Sequence, residues 1–218
     1  MHVLIIPGWQ QTVDSWSAVV TEIEQLGHTA VVIEYTMPKR DDVEDIIEIA
    51  NAHINQKCVV VGHSIGGRAA VQMGSQPLHH IVGFVLMSTP SLPFTGLWQR
   101  VYKFYRFFSG PIRLLIPDFI EHKIGALWQR LTRRSPEKRH YNTITKSDQE
   151  SLLLVQKLPV KLLWGSNDSV VKPEIGEAMA EKILHADFVS VIGGTDKLYQ
   201  EEPELVAHVI LDFAAANS

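Results

Sequence analysis

A mostly parallel, doubly wound α/β sheet of about six strands, with a helical cap insertion, is the fold class predicted by this 218-residue sequence. Two observations carry the prediction. Short apolar runs alternate with stretches of helical period, and a run apolar on both faces belongs to a strand buried between helices. One interval of roughly 70 residues, between the fourth run and the fifth, is far longer than an ordinary connection and marks an insertion.

The strands are expected at 3–7, where Val3-Leu4-Ile5-Ile6 ends in Pro7, and at 30–35, 58–62, 81–88, 160–165 and 188–193. Helical period fills 15–26, 43–54, 67–74, 173–184 and 203–215. Residues 1–89 and 159–218 thus form the α/β core, and 90–158 the cap. Within the cap Leu97, Trp98, Val101, Phe104, Tyr105 and Phe108 recur at helical spacing. Ile120, Ile124, Leu127, Trp128 and Leu131 repeat that pattern, and Pro111 and Pro117 act as breaks.

At 45% hydrophobic and 20% charged, the chain can bury a sizeable core in one domain. Its single cysteine, Cys58, lies in an apolar run, which excludes an internal disulfide and fits a reducing cytoplasm. The opening "MHVLIIPGWQQ" has no basic n-region and too short an apolar run for a signal peptide or a transmembrane segment.

The net charge of −4 hides an asymmetry: residues 90–158 hold 12 Lys and Arg against 5 Asp and Glu, the rest 8 against 19. Such a basic cap suits an acyl carrier protein, an anionic substrate or an anionic membrane surface, and equally a solvated face attracted to its own acidic body. Nucleic acid is not expected, because the total charge is negative and no binding motif appears. No metal or cofactor is expected either. The histidines and Cys58 lack ligand spacing, and the turns at Gly66-Gly67 and Gly193-Gly194 lack the Lys or glycine spacing of a phosphate loop.

The chemistry centres on Gly62-His63-Ser64-Ile65-Gly66-Gly67. Gly-x-Ser-x-Gly between a strand and a helix is a nucleophile elbow, in which a sharp turn exposes the serine hydroxyl and small flanking residues let the backbone fold that tightly. The other reading is a plain turn. In an elbow, Ile65 N–H at the helix start points into an oxyanion hole.

These residues and their context resemble the α/β-hydrolase superfamily, and the resemblance covers nearly the whole chain. Val3-Leu4-Ile5-Ile6-Pro7-Gly8-Trp9 is similar to that family's first strand and oxyanion loop, with Pro7 where a His often stands. The resemblance implies Trp9 N–H as the second oxyanion donor. Leu162-Leu163-Trp164-Gly165-Ser166-Asn167-Asp168 resembles the strand that ends in the acid of the triad and implies that role for Asp168, whose other reading is an Asx turn or a helix cap before Pro173.

The resemblance implies Gly-His after the last strand, then about five residues, then Pro at the start of the final helix, and counting back from Pro203 puts Asp196 at the histidine's place. His2, His28, His79, His80 and His185 fall at the opposite sheet edge, and His53 and His208 in flanking helices. Only His63, His122 and His140 are candidates to substitute.

Imidazole takes the serine proton because its pKa of about 6.5 lies near working pH, whereas a carboxylate at about 3.9 is a weaker base. Losing one triad member costs several orders of magnitude, although the oxyanion hole and binding retain about 10³-fold catalysis. Asp168 and Asp196 should also be neighbours, and like charges raise one of two pKa values.

The resemblance therefore implies a serine hydrolase of esters, thioesters or lactones with an apolar acyl part, impaired at Asp196. The alternatives are an acid/base enzyme for elimination or cyclisation in the same pocket, and a non-catalytic module binding a ligand or a carrier protein. Trp98, Tyr102, Tyr105 and Trp128 are the candidate substrate contacts, although half or more of such an aromatic stripe ordinarily packs within a cap.

Overall fold

The computed structural model describes residues 1–35, 43–76, 79–90, 155 and 157–218. They belong to a compact unit built from Met1–Leu92 and Ile144–Ser218. The cap expected at 90–158 lies outside the described residues except for Pro90, Val155, Lys157 and Leu158. Trp98, Tyr102, Tyr105, Trp128, His122 and His140 lie outside them entirely.

Six strands form one sheet: β1 (His2–Ile6), β2 (Thr29–Val32), β3 (Cys58–His63), β4 (Ile81–Met87), β5 (Val160–Gly165) and β6 (Ala186–Val191). Their order is β2-β1-β3-β4-β5-β6, and every neighbouring pair is parallel. Parallel pairing forces a crossover between consecutive strands. Among the described residues α1 (Ser17–Gln25), α2 (Glu44–Ala52), α3 (Ile65–Met73) and α4 (Pro173–Ala180) lie in the β1–β2, β2–β3, β3–β4 and β5–β6 crossovers, and α5 (Leu198–Glu201) and α6 (Pro203–Ala216) follow β6.

All residues of β1 and β3 are buried, as their unbroken apolar runs require. One sheet face, presenting Val3, Ile5, Val59, Val61 and Val85, packs against Val19 and Ile23 of α1 and Val206 and Ile210 of α6. Side chains alternate along a strand, so Leu4, Ile6 and Val60 turn to the other face.

Every expected strand is present, with ends shifted by at most three residues, whereas α4 stops at Ala180, four residues before its expected end. Helix α3 begins at Ile65, two residues before the expected start, because the turn at Ser64 leads straight into it. Helix α5 is a single turn within a segment that carries no amphipathic period long enough to read. Among the described residues no helix is long and apolar enough to cross a membrane.

The strand order reverses direction between β1 and β3, and in open α/β sheets the crevice beyond the carboxyl ends at such a switch point is where ligands bind. Register aligns Ile6 with Gly62 and His63 with Met87, so the loops after β1, β3 and β4 leave one edge together. The loops after β5 and β6 join them, because Gly165 pairs with Val191.

Candidate active site

Ser64 stands between β3 and α3 with φ 53° and ψ −118°, a left-handed conformation that a side chain rarely adopts. Its N–H donates to Met87 O at 3.0 Å, and its carbonyl accepts the first bond of α3 from Arg68 N at 3.2 Å. The flanking glycines are needed for close approach. A Cβ on Gly66 would lie 2.1 Å from Ile6 O, and one on Gly62 would lie 2.6 Å from Gly67 Cα. The strained turn is therefore held from β1, β4 and its own helix.

The loop after β1 comes up against this turn. A Cβ on Gly8 would sit 3.1 Å from Ser64 Cβ and 2.7 Å from His63 Nδ1. Gly8 N–H donates to Gln11 Oε1 at 2.7 Å, and the Tyr35 hydroxyl donates to Pro7 O at 2.6 Å. Burial raises the pKa of Tyr35, so its hydroxyl remains a donor.

His63 is buried, and both ring nitrogens are engaged: Nδ1 lies 2.9 Å from Gln11 Nε2, and Nε2 lies 2.8 Å from the main-chain oxygen of Asp196. The bonds around it settle the tautomer. Gln11 Oε1 accepts from both Gly8 N–H and Trp16 Nε1–H, the latter at 3.0 Å, so the Gln11 amide can face only one way and its Nε2 must donate. Nδ1 is then the acceptor and Nε2 carries the proton. Burial drives the imidazole pKa down to about 4, and the bond to the Asp196 carbonyl opposes that only in part. His63 is accordingly neutral, with no lone pair left for Ser64, and cannot stand in for the base.

Asp168 follows β5 and is 3% exposed. Its Oδ1 accepts Val170 N–H and Val171 N–H, both at 2.8 Å, so the Asx-turn reading holds for that oxygen. Oδ2 is buried and has no hydrogen bond of good geometry among the described residues, although the Ser88 hydroxyl lies near enough to favour the ionised carboxyl. Burial, the largest cause, raises the Asp168 pKa to about 6. Ser88 and the two amides pull it down, and the charge of Asp196 raises it further as the smallest contribution. The expected like-charge effect is present, but desolvation is the larger cause.

Asp196 lies in the turn after β6 that Gly194 and Thr195 anchor. Asn167 N–H donates to Gly194 O at 2.8 Å, and Glu201 of α5 accepts Thr195 N–H at 2.9 Å and its hydroxyl at 2.6 Å. Ser64, Asp168 and Asp196 thus converge at one edge through their main chains. By contrast, a recess of about 290 Å³ beside His2, His28 and Gln56 lies at the opposite edge, away from this chemistry.

With the geometry in view, the alpha/beta hydrolase family model matches residues 3–209. The chain belongs to the alpha/beta hydrolase family. Solved structures similar to it include a monoacylglycerol lipase from Paleococcus ferrophilus, with 16% identity, TM-score 0.69, 100% of this chain covered and 95% of that one. An esterase from Thermogutta terrifontis has 20% identity and TM-score 0.65, covering 100% and 91%. A bromoperoxidase from Bacillus anthracis has 15% identity and TM-score 0.67, covering 98% and 91%. At these identities the likeness shows the hydrolase fold alone. By sequence, no curated protein matches.

Sequence reasoning missed Gln11, Trp16, Tyr199 and Glu201 around Ser64, His63 and the Asp196 turn. Gln11 alone left a signal, as a polar side chain three residues beyond Gly8. The others act from elements whose convergence only the fold reveals.

Proposed function

We propose that this chain is a serine hydrolase whose Ser64 attacks an ester, thioester or lactone carbonyl bearing an apolar acyl part, and that turnover is slow because Asp196 replaces the family's histidine. The strained backbone of Ser64, held at the sheet's carboxyl edge, carries the reading. Gly8 N–H is taken by Gln11, which favours Trp9 N–H as the loop's oxyanion donor, with Ile65 N–H as the second. Ordinary carboxylate and imidazole pKa values differ by about 2.6, so a carboxylate base takes the serine proton about 3.5 kcal/mol less readily.

The basic stretch at 90–158 supports an anionic partner such as an acyl carrier protein, and Trp98, Tyr102, Tyr105 and Trp128 remain proposed acyl contacts on sequence grounds alone. The single Cys58 supports a cytoplasmic setting; it is buried, with its thiol pushed up to about 11.

A second reading draws on Asp168. With a pKa near 6 it holds a proton at mildly acidic pH, which suits acid/base chemistry without an acyl-enzyme.

The test is hydrolysis of aryl esters from acetate to octanoate by this chain, by Asp196→His and by Ser64→Ala as the blank. A gain of about a hundredfold or more in Asp196→His, with the unaltered chain near the blank, supports a hydrolase frame lacking its base. Turnover by the unaltered chain that survives Ser64→Ala sinks the serine mechanism and favours the second reading.

A further inference from the structure

We infer that Gln11 and His63 are positioning residues, forming a strut that runs from the oxyanion loop to the main chain of Asp196 and sets where the side chain at 196 stands relative to Ser64. The inference rests on Ser64 being the nucleophile.

The strut is a directed series of hydrogen bonds. Gly8 N–H and Trp16 Nε1–H donate to Gln11 Oε1, Gln11 Nε2–H donates to His63 Nδ1, and His63 Nε2–H donates to Asp196 O. Reversing any member sets donor against donor and acceptor against acceptor. His63 is 3% exposed, so bulk water is not at hand to repair such a mismatch.

Ring packing joins the same elements. His63 meets Trp16 edge-on at 6.1 Å and Tyr199 at 5.2 Å, and Trp16 stacks on Tyr199 at 4.6 Å. Tyr199 belongs to α5, three residues beyond Asp196. Bonds from Asn167 and Glu201 hold the Gly194 and Thr195 side of the turn, whereas the His63 bond comes from the nucleophile's own strand.

The strut grips only the carbonyl of residue 196, so it is indifferent to the side chain there. A frame for a base therefore persists around an aspartate.

The test uses Gln11→Ala and Gln11→Glu. In the unaltered chain, ¹⁵N NMR should show His63 as the Nε2–H tautomer. Gln11→Ala should keep that tautomer, since the Asp196 carbonyl can only accept, but speed hydrogen exchange of the 195–197 amides about tenfold. Gln11→Glu keeps acceptors for Gly8 and Trp16 and turns His63 into a double donor, so it should restore slow exchange while moving the His63 titration upward. Within Asp196→His, Gln11→Ala should lower ester kcat about tenfold or more with little change in KM, and Gln11→Glu should recover most of it.

An Nδ1–H tautomer in the unaltered chain, or unchanged exchange in Gln11→Ala, would overturn the strut, and so would equal kcat losses in the two variants. Failure of Asp196→His to show any turnover that depends on Ser64 would instead overturn the hydrolase reading, with the NMR and exchange results still deciding the strut.

Discussion

His63 Nε2 lies 2.8 Å from the main-chain oxygen of Asp196, joining the last residue of β3, just before Ser64, to the turn where the resemblance places the family's base. Because the bond reaches a carbonyl, changing the side chain at 196 leaves it intact. The same engagement removes His63 from the list of substitute bases, and burial keeps the ring neutral.

His63 and Asp168 should pull stability in opposite directions over one pH range. His63 falls from 6.5 to about 4, so the unfolded chain takes that proton first, and stability present above pH 6.5 is lost as pH falls toward 4. Asp168 rises from 3.8 to about 6, so the folded chain takes its proton first and stability is gained as pH falls from 6 toward 3.8. Each effect is on the order of 3 kcal/mol. Urea unfolding between pH 7 and 4 should therefore show Asp168→Asn losing about 2 to 3 kcal/mol more than the unaltered chain, and His63→Gln losing less. Parallel curves for all three would mean that these two groups do not titrate as their burial requires.

The sheet was legible because its strands are buried on both faces and so read as unbroken apolar runs. Val59-Val60-Val61 ahead of Gly62 placed both strand and elbow, and Pro203 located Asp196. What was not legible depends on distant partners. Nothing local to Gln11 says that Gly8, Trp16 and His63 will meet at it, and Asp168 reads as a turn residue or a triad acid, whereas only the fold shows Oδ1 taken by two amides and Oδ2 buried.

Two glycines should separate folding from reactivity. A Cβ on Gly66 meets the carbonyl oxygens of Ile6 at 2.1 Å and Pro7 at 2.5 Å, and main chain inside a sheet cannot yield. Gly66→Ala should cost more than about 3 kcal/mol or prevent folding. A Cβ on Gly8 meets side-chain atoms of His63, Gln11 and Ser64. Gly8→Ala should therefore fold while lowering Ser64 labelling by a fluorophosphonate at least tenfold. Equal stability of the two variants in urea would contradict this placement.

Ser64 should be more stable as glycine than as alanine. Its φ of 53° with ψ of −118° strains any residue with a Cβ, by about 1 to 3 kcal/mol, and glycine relieves this against an entropic cost of about 0.5 to 1 kcal/mol. Ser64→Gly should melt about 2 to 4 °C above Ser64→Ala, and both should lose labelling. A lower melting temperature for Ser64→Gly would show that the turn stores no strain.

Asp168 should orient a base at position 196 as well as form its turn. Oδ1 is occupied by two amides, whereas Oδ2 is buried and lacks a well-formed hydrogen bond among the described residues, so an imidazole introduced by Asp196→His has an acceptor to orient it. Adding Asp168→Asn to Asp196→His keeps an oxygen for the turn and puts an N–H donor where the acceptor was. The double variant should fold at least as stably at pH 8, because a buried charge is gone, yet lose most of the gain of Asp196→His, at least about tenfold in kcat. The kcat/KM of Asp196→His alone should rise with pH through an apparent pKa near the ordinary imidazole value of about 6.5. A loss under about threefold in the double variant would leave Asp168 as a turn former, and any gain in Asp196→His would then come from the imidazole without an orienting acid.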